Sequence, residues 1–305
     1  FLKAPRSLGD PDLRHVHASV GHVVSTDLVT WHRLPDALAP QPAPAYDDLS
    51  TWTGSVVRGD DGVWRTFTSG IARAEAGLVQ RIGVSTSPDL VTWTRVPGTV
   101  VEPDPQWYAV GGGDGEETHW RDPFVVRDED GTWHLYVTAK VPGRRGNGVV
   151  GHATSSDLER WQVRAPLDVA PGRFDQLEVI SLARVDGRWV LLFSALGPEM
   201  PGAAPGDGGV WSVAVEGPGA PVDTRRATRL TSEQLYVGRV VADHLGVSHL
   251  LAFRHRDDLG AFVGGVTDPL PVRWRSDGTG LQLIDAPPGW FPEHPAPLLP
   301  AGREA

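Results

Sequence analysis

The sequence has no cysteine, a single methionine at position 200 and no long hydrophobic run. The lack of cysteine excludes disulfides, thiolate zinc sites and a cysteine nucleophile. No run approaches the roughly 18 apolar residues that a membrane-spanning helix needs, so we expect no membrane partner. Positive charge is also scarce: the formal net charge is -10, which argues against nucleic acid as a partner. Helix signals are nearly absent, whereas 36 Gly and 27 Pro indicate many turns.

The start of the sequence limits what can be said about the compartment. The chain begins at Phe1 and not at a methionine, so we expect a segment upstream. No signal peptide is visible, which favours the cytoplasm, but secretion stays open because an absent start carries no targeting information. We expect no metal and no cofactor, and the composition leaves the oligomeric state open.

A short pattern recurs along the chain: Gly, a Ser/Thr-containing strand, an Asp-Leu turn and a Trp four residues after the Asp. Its period is roughly 60–70 residues, which is typical of the blades of a β-propeller. Clear copies lie at residues 21–31, 83–93 and 151–161, a looser copy lies at 265–274, and a degenerate one is expected near Gly209 to Val215.

A second repeat interleaves with the first. Asp61-Gly62, Asp130-Gly131 and Asp186-Gly187 each lie between two alternating apolar runs, which is a strong hairpin signal. Together the repeats predict an all-β fold: a single five-bladed β-propeller over residues 1–305 with four antiparallel strands per blade. The first inner strand is expected upstream of residue 1. The other four are predicted at Trp52 to Arg58, Pro123 to Arg127, Leu177 to Val185 and Tyr236 to Asp243.

The predicted inner strands carry charged residues, and inner strands line a shared funnel. Arg121 and Asp122 begin the third blade, and Glu178 lies among apolar neighbours at the start of the fourth. Glycoside hydrolysis uses two carboxyl groups with different roles. One is ionised, as expected beside an Arg, and the other can hold a proton, as expected in an apolar setting. The alternative is that these are unrelated turn and surface acids, because Asp-Pro pairs also occur elsewhere in the chain.

Residues 21–40, followed by Trp52-Thr53-Gly54-Ser55, closely resemble glycoside hydrolase family 32, the invertases, inulinases and levanases, whose clan includes families 43 and 68. Arg121-Asp122-Pro123 is similar to the family's Arg-Asp-Pro motif, and Glu178 falls where its Glu-Cys motif is expected. The resemblance implies hydrolysis of β-fructofuranosides with retention. It implies Asp122 as transition-state stabiliser, Glu178 as general acid/base, Arg121 as orienting residue and Trp52 as part of the sugar wall.

The substrate-binding residues predicted on this basis come from all the blades. They are Arg121, Trp52, Thr53, Asp48, His17, Trp120, Gln176 and Tyr236.

Three departures from the family pattern keep alternatives open. The nucleophilic Asp belongs on the first inner strand, upstream of residue 1. Val179 replaces the Cys, and Gln176-Leu177-Glu178-Val179 is nearer to family 43, which leaves arabinosides and xylosides as substrates. The C-terminal β-sandwich is not evident. A sugar-binding inactive homologue and a propeller scaffold are the alternatives from other functional classes.

Overall fold

A computed structural model describes residues 1–111, 117–143 and 145–284, which form five antiparallel sheets. The first sheet contains β1 (Leu2–Lys3), β2 (Ser19–Val24) and β3 (His32–Leu38). The second contains β4 (Ser50–Arg58), β5 (Trp64–Ile71), β6 (Gln80–Ser87) and β7 (Thr94–Val101). The third contains β8 (Trp120–Arg127), β9 (Trp133–Lys140), β10 (Gly148–Ser155) and β11 (Gln162–Arg164).

The last two sheets repeat this meander. The fourth contains β12 (Glu178–Val185), β13 (Arg188–Ala195), β14 (Gly209–Val215) and β15 (Thr228–Arg229). The fifth contains β16 (Leu235–Ala242), β17 (Ser248–Arg254), β18 (Leu270–Trp274) and β19 (Leu281–Leu283). Helical segments in the described ranges are short 3₁₀ turns, none of which is long enough to cross a membrane: Arg6–Leu8, Pro11–Val16, Arg73–Glu75, Gly197–Glu199 and Thr224–Arg226.

The predicted all-β, five-bladed propeller is confirmed. The first sheet has three strands and the other four have four each, as the repeats predicted. β4, β8, β12 and β16 open their sheets and pack beside one another, so they are the inner strands. The degenerate repeat copy is β14. A single domain over residues 1–305 stays a prediction, since residues 285–305 lie outside the described part of the chain.

Apolar side chains fill the spaces between neighbouring blades. Phe67 of the second sheet packs with Trp120 of the third, and Tyr136 of the third packs with Ile180 of the fourth. The second strands of the third and fourth sheets are therefore buried along most of their length: seven of eight residues are buried in β9 and six of eight in β13. The repeated Trp residues close these spaces: the ring of Trp161 lies edge-on to that of Phe67, with centroids 5.4 Å apart.

Each inner strand contains one extra residue near its start. The register shifts after Thr51, Arg121, Glu178 and Tyr236 on β4, β8, β12 and β16, respectively. At three of these bulges the next residue has a positive φ: 56° at Asp122, 52° at Val179 and 53° at Val237. Non-glycine residues rarely adopt this conformation, and a β-bulge re-aims the side chains beside it. The bulge after Glu178 therefore interrupts the alternation of side chains that a regular strand would show there.

Buried hydroxyl groups hold these bulges from the preceding blade. Ser69 Oγ accepts a hydrogen bond from Asp122 N at 2.8 Å, and Ser194 Oγ accepts one from Val237 N at 2.9 Å. Thr138, at the equivalent position of β9, donates to the carbonyl oxygen of Leu177 at 2.9 Å. The second strand of each of these blades therefore fixes the start of the next inner strand.

Replacing Ser194 with Ala is expected to lower the free energy of unfolding by about 1–3 kcal/mol, because the buried N–H of Val237 loses its acceptor. The matched control is Ser181→Ala on the same sheet. Ser181 Oγ is buried and has no hydrogen-bond partner among the described residues, so its loss is expected to cost about 0.5 kcal/mol or less. Urea unfolding of both variants measures the difference. Equal losses would contradict the role given to Ser194.

Candidate active site

Arg121 is the centre of a polar cluster at the start of the inner strands. Its side chain is buried, with 7% of the residue exposed. Nη2 donates to Glu178 Oε1 and to Gln176 Oε1, and Nε lies 3.4 Å from Asp122 Oδ2. The bulge at Asp122 allows neighbouring residues of β8 to face the same cluster. The structure therefore brings together four of the predicted site residues.

A neutral histidine and an amide complete the environment of Arg121. Nη1 donates to Gln80 Oε1 at 3.2 Å and lies 2.8 Å from His119 Nδ1. Burial, together with the positive charges of Arg121 and Lys140, lowers the pKa of His119 to about 3. His119 is therefore neutral at physiological pH, and its Nδ1 accepts the hydrogen bond from the guanidinium.

The pKa values of the two carboxyl groups are shifted in opposite directions. Burial opposes ionisation of Glu178, but the charge and hydrogen bond of Arg121 outweigh it, and the pKa of Glu178 is lowered. Burial raises the pKa of Asp122 to about 6, in spite of the charges of Arg121 and Arg239. Arg121 contacts both carboxylates, Glu178 through Nη2 and Asp122 through Nε, and the two pKa shifts run opposite to those expected from the sequence.

Tyr236 joins the cluster from the fifth sheet. Its Oη lies 2.8 Å from Glu178 Oε2 and 3.4 Å from Glu199 Oε2. Burial raises the pKa of Tyr236 well above its usual value, and the charges of both carboxylates reinforce the shift, so the phenol keeps its proton. Gln176 bridges the other side: its Nε2 donates to Glu199 Oε1 at 3.0 Å while its Oε1 accepts from Arg121.

Glu199, like Gln80, is a residue of the cluster that sequence reasoning missed. It ends the 3₁₀ turn Gly197–Glu199 after β13, where Leu196 N donates to its Oε2 at 2.8 Å. Burial raises its pKa to about 7, and the negative charge of Glu178 adds to the effect. It belongs to no repeat, and it lies 21 residues after Glu178 in the chain. Its Gly-Pro-Glu context indicates only a turn, so no local signal identifies it.

Trp52 lies near the start of β4, beside the first sheet, where it packs with Ala18 and Ile71. Its residue is 8% exposed, and its Nε1 donates to the carbonyl oxygen of His15 at 2.8 Å. The ring of His15 lies edge-on to that of Trp52, with centroids 6.1 Å apart, and the charges of Glu178 and Arg121 reach His15. His15 and His17 are both exposed, and the contact with substrate predicted for His17, which follows the 3₁₀ helix Pro11–Val16, stays a prediction.

Three further predicted residues lie elsewhere. Asp48 is buried and accepts a hydrogen bond from Arg73 N at 2.7 Å, so it anchors a turn. Thr53 lines a groove between the first two sheets. Trp120 is 0% exposed, and its Nε1 donates to the carbonyl oxygen of Val101 at 3.0 Å. The expectation that Trp120 binds substrate is corrected by this burial: its indole packs between blades.

Comparison with known proteins gives a family. The model of the glycosyl hydrolases family 32 N-terminal domain matches residues 12–214. Sucrose-6-phosphate hydrolase of Bacillus subtilis (strain 168) is 26% identical over 147 residues, which cover 48% of this chain and 28% of that protein. The insoluble β-fructofuranosidase isoenzyme CWINV5 of Arabidopsis thaliana is 29% identical over 186 residues, which cover 58% of this chain and 30% of that protein. The chain thus matches less than one third of the length of either relative.

A solved structure agrees at the level of the fold. Fructan 1-exohydrolase IIa from Cichorium intybus superposes with a TM-score of 0.65 at 17% identity, covering 88% of this chain and 52% of that one. The family model covers more than half of the chain, including Arg121, Asp122 and Glu178. This chain belongs to glycoside hydrolase family 32.

Proposed function

We propose that this chain provides most of the active site of a retaining glycoside hydrolase that acts on β-fructofuranosides. The observation that carries the proposal is the convergence of Arg121, Asp122 and Glu178 from two neighbouring inner strands into one buried cluster. Among the described residues, this is where carboxyl groups with opposite pKa shifts meet. Such pairs separate the acid and base roles of glycoside hydrolysis.

Glu178 acts as general acid/base, and Asp122 binds the hydroxyl groups of the sugar in the transition state. In the free site Glu178 is paired with Arg121 and ionised, so it must gain a proton before it protonates the leaving oxygen. Arg121 orients both carboxylates. Gln176 and Tyr236 hold Glu178 from its two sides, and Trp52 closes the sugar wall.

Retention also needs a nucleophilic carboxylate about 5–5.5 Å from the acid. We propose that this Asp lies on an inner strand of the first sheet, upstream of Phe1. β1 pairs with β2 and occupies the place that the second strand has in the other sheets, which leaves the inner position of that blade for such a strand. Without that carboxylate, the cluster would bind a sugar and not cleave it.

Pentosides are the second candidate substrates. Val179 stands where family 32 has Cys. Gln176 is the first residue of the Gln-Leu-Glu pattern that resembles family 43, and it contacts Arg121 directly. Arabinosides and xylosides therefore stay the alternative to fructosides, and the sugar-binding homologue is the alternative to an enzyme.

A substrate screen of the full-length protein tests the proposal. We expect release of fructose from sucrose, sucrose 6-phosphate, inulin or levan, measured by chromatography, and no cleavage of aryl arabinosides or xylosides. Glu129→Gln on an exposed loop serves as the control for mutagenesis and is expected to leave the rates unchanged. Cleavage of the aryl pentosides without release of fructose would replace the fructoside assignment by the pentoside one.

A further inference from the structure

The phenol of Tyr236 lies between two carboxyl groups. Its Oη is 2.8 Å from Glu178 Oε2 and 3.4 Å from Glu199 Oε2. A phenol has one hydrogen, so it can donate to one of these oxygens at a time. If Tyr236 donates its hydrogen to Glu178, its Oη can only accept a hydrogen bond from Glu199. Glu199 can donate that bond when its carboxyl group is protonated. The geometry therefore connects Glu199 to Glu178 through one hydroxyl group.

Glu199 is held in this position by two further hydrogen bonds. Leu196 N donates to Oε2 at 2.8 Å, and Gln176 Nε2 donates to Oε1 at 3.0 Å. Gln176 also accepts from Arg121, so the same amide fixes both ends of the path. Glu199 is half-buried, whereas Asp122 is buried, so Glu199 can exchange its proton with solvent more readily.

Burial favours the protonated form of Glu199, and the negative charge of Glu178 adds to this effect. The positive charges of Arg121 and Lys140 and the hydrogen bond from Tyr236 act against it. Arg121 directs its Nη2 to Glu178 and to Gln176, not to Glu199. With Glu178 ionised nearby, the next proton in this part of the site resides on Glu199, which is consistent with its pKa of about 7.

We propose that Glu199 is the proton reservoir of the acid/base Glu178, to which it passes a proton through the hydroxyl group of Tyr236. The proposal rests on the hydrolase function proposed above. In the transfer, the O–H bond of Glu199 breaks and forms a new O–H bond at Tyr236 Oη, while the original phenolic proton moves to Glu178 Oε2. One negative charge thereby moves from Glu178 to Glu199.

The cycle then closes without another reagent. Glu178 gives its proton to the departing glycosidic oxygen in the first step and takes one from the attacking water in the second. The reverse transfer through Tyr236 returns that proton to Glu199. Glu199 touches no reacting atom in this scheme, so it is a positioning residue that acts through Glu178.

The pH profile of kcat/KM of the full-length protein tests the relay. With the reservoir, activity falls as the pH rises through about 7, where Glu199 loses its proton. In Glu199→Gln the fall moves to lower pH, because Glu178 alone has a lowered pKa. We expect kcat/KM for sucrose at neutral pH to drop by at least about tenfold, with a much smaller drop for an aryl fructoside, whose leaving group needs no proton.

Two other variants separate the relay from a structural effect. Tyr236→Phe removes the connecting hydroxyl group, so the double variant with Glu199→Gln is expected to be no slower than the slower single variant. Glu233→Gln is the matched control: Glu233 accepts hydrogen bonds from Gly197 N, Gly206 N and Gly208 N at 3.0 Å and so holds the same loop. It has no hydrogen bond to Tyr236 among the described contacts, and its variant should keep the wild-type alkaline limit.

A readout without substrate completes the test. In NMR spectra of protein with ¹³C-labelled glutamate, the carboxyl signal of Glu199 is identified as the one that Glu199→Gln removes. This signal should titrate near neutral pH. In Glu178→Gln its pKa should fall, because the negative charge of Glu178 is lost. An unchanged pH profile in Glu199→Gln, or a titration near the ordinary value for Glu, overturns the relay. If Glu178→Gln itself leaves hydrolysis unaffected, the proposed function fails and not merely the relay.

Discussion

Replacing Glu178 with Gln is expected to reduce kcat/KM for sucrose or fructans by about 10²- to 10⁴-fold, the usual contribution of a general acid. Gln is nearly the same shape, and its Oε1 can still accept from Arg121 Nη2, but it can neither hold nor release the required proton. Initial rates of fructose release by the full-length protein give the effect. KM should change much less than kcat, because the lost interaction acts in the transition state.

The leaving group distinguishes this role from a purely structural one. With an aryl fructoside, the first step needs no proton, so the first turnover of Glu178→Gln should release the phenol at close to the wild-type rate. The second step still lacks its base, and a burst followed by a slow phase is expected. Equal losses for sucrose and the aryl fructoside would remove Glu178 from the acid role.

The fold was predictable because its signals are local and repeated. Asp-Gly pairs mark the hairpins, and the positive φ of 78° at Gly62, 89° at Gly131 and 77° at Gly187 is the conformation that such turns require. The Trp-containing repeats fixed the length of the repeat unit, and the alternating apolar runs on both sides of each Asp-Gly pair predicted the strands. The three strands of the first sheet were also predictable, because the strands of each repeat unit can be counted along the sequence without knowledge of distant contacts.

The arrangement within the site was only partly predictable. The repeats placed Arg121, Asp122 and Glu178 on neighbouring inner strands, and the structure brings them together. The directions of the two pKa shifts were not predictable, because the bulges after Arg121 and Glu178 decide how each carboxylate meets the guanidinium. A bulge depends on one extra residue and on hydroxyl groups of the preceding blade, and neither leaves a pattern in the strand itself.

Residues contributed by other blades were beyond sequence reasoning for the same reason. Gln80 reaches Arg121 from β6, and Glu199 reaches Tyr236 from a turn after β13. Trp120, next to Arg121 in the chain, was assigned to the sugar site although it packs between blades. Neighbours along a strand point to opposite faces, so a residue next to Arg121 in the chain need not lie in the same site. Which residues of other sheets reach the site depends on how the blades pack.

Replacing Arg121 with Met is expected to lower the free energy of unfolding at neutral pH by about 3–5 kcal/mol, in addition to abolishing activity, because it leaves buried carboxylates without their counter-charge. The side chains of Asp122 and Glu178 are 11% and 21% exposed, so water cannot compensate fully. Urea unfolding between about pH 4 and pH 8 gives the measurement. Unfolding is measured because a loss of activity would result both from lower stability and from the loss of the orienting role of Arg121.

The dependence on pH identifies the cause of the loss. With Arg121 present, the pKa of Glu178 is lowered on folding, so the pair stabilises the protein above the ordinary carboxyl pKa, about 4, and the gain is lost on acidification. In Arg121→Met, burial raises the pKa of both carboxyl groups above their unfolded values. The variant is then most stable when they are protonated and loses stability as the pH rises. The difference from wild type should therefore be widest near pH 8 and narrow towards pH 4.

Arg127→Met is the matched control, because Arg127 lies at the far end of the same strand and pairs with Asp60 at 2.7 and 2.9 Å. That pair is on the surface, with 38% and 75% of the side chains exposed, so its loss should cost about 0–1 kcal/mol at any pH. Comparing the Arg-to-Met substitution at the buried and at the exposed position therefore shows how much of the lost stability depends on burial of the ion pair. A loss for Arg121→Met that does not change with pH would mean that packing of the long side chain, and not compensation of Glu178 and Asp122, is what Arg121 contributes to stability.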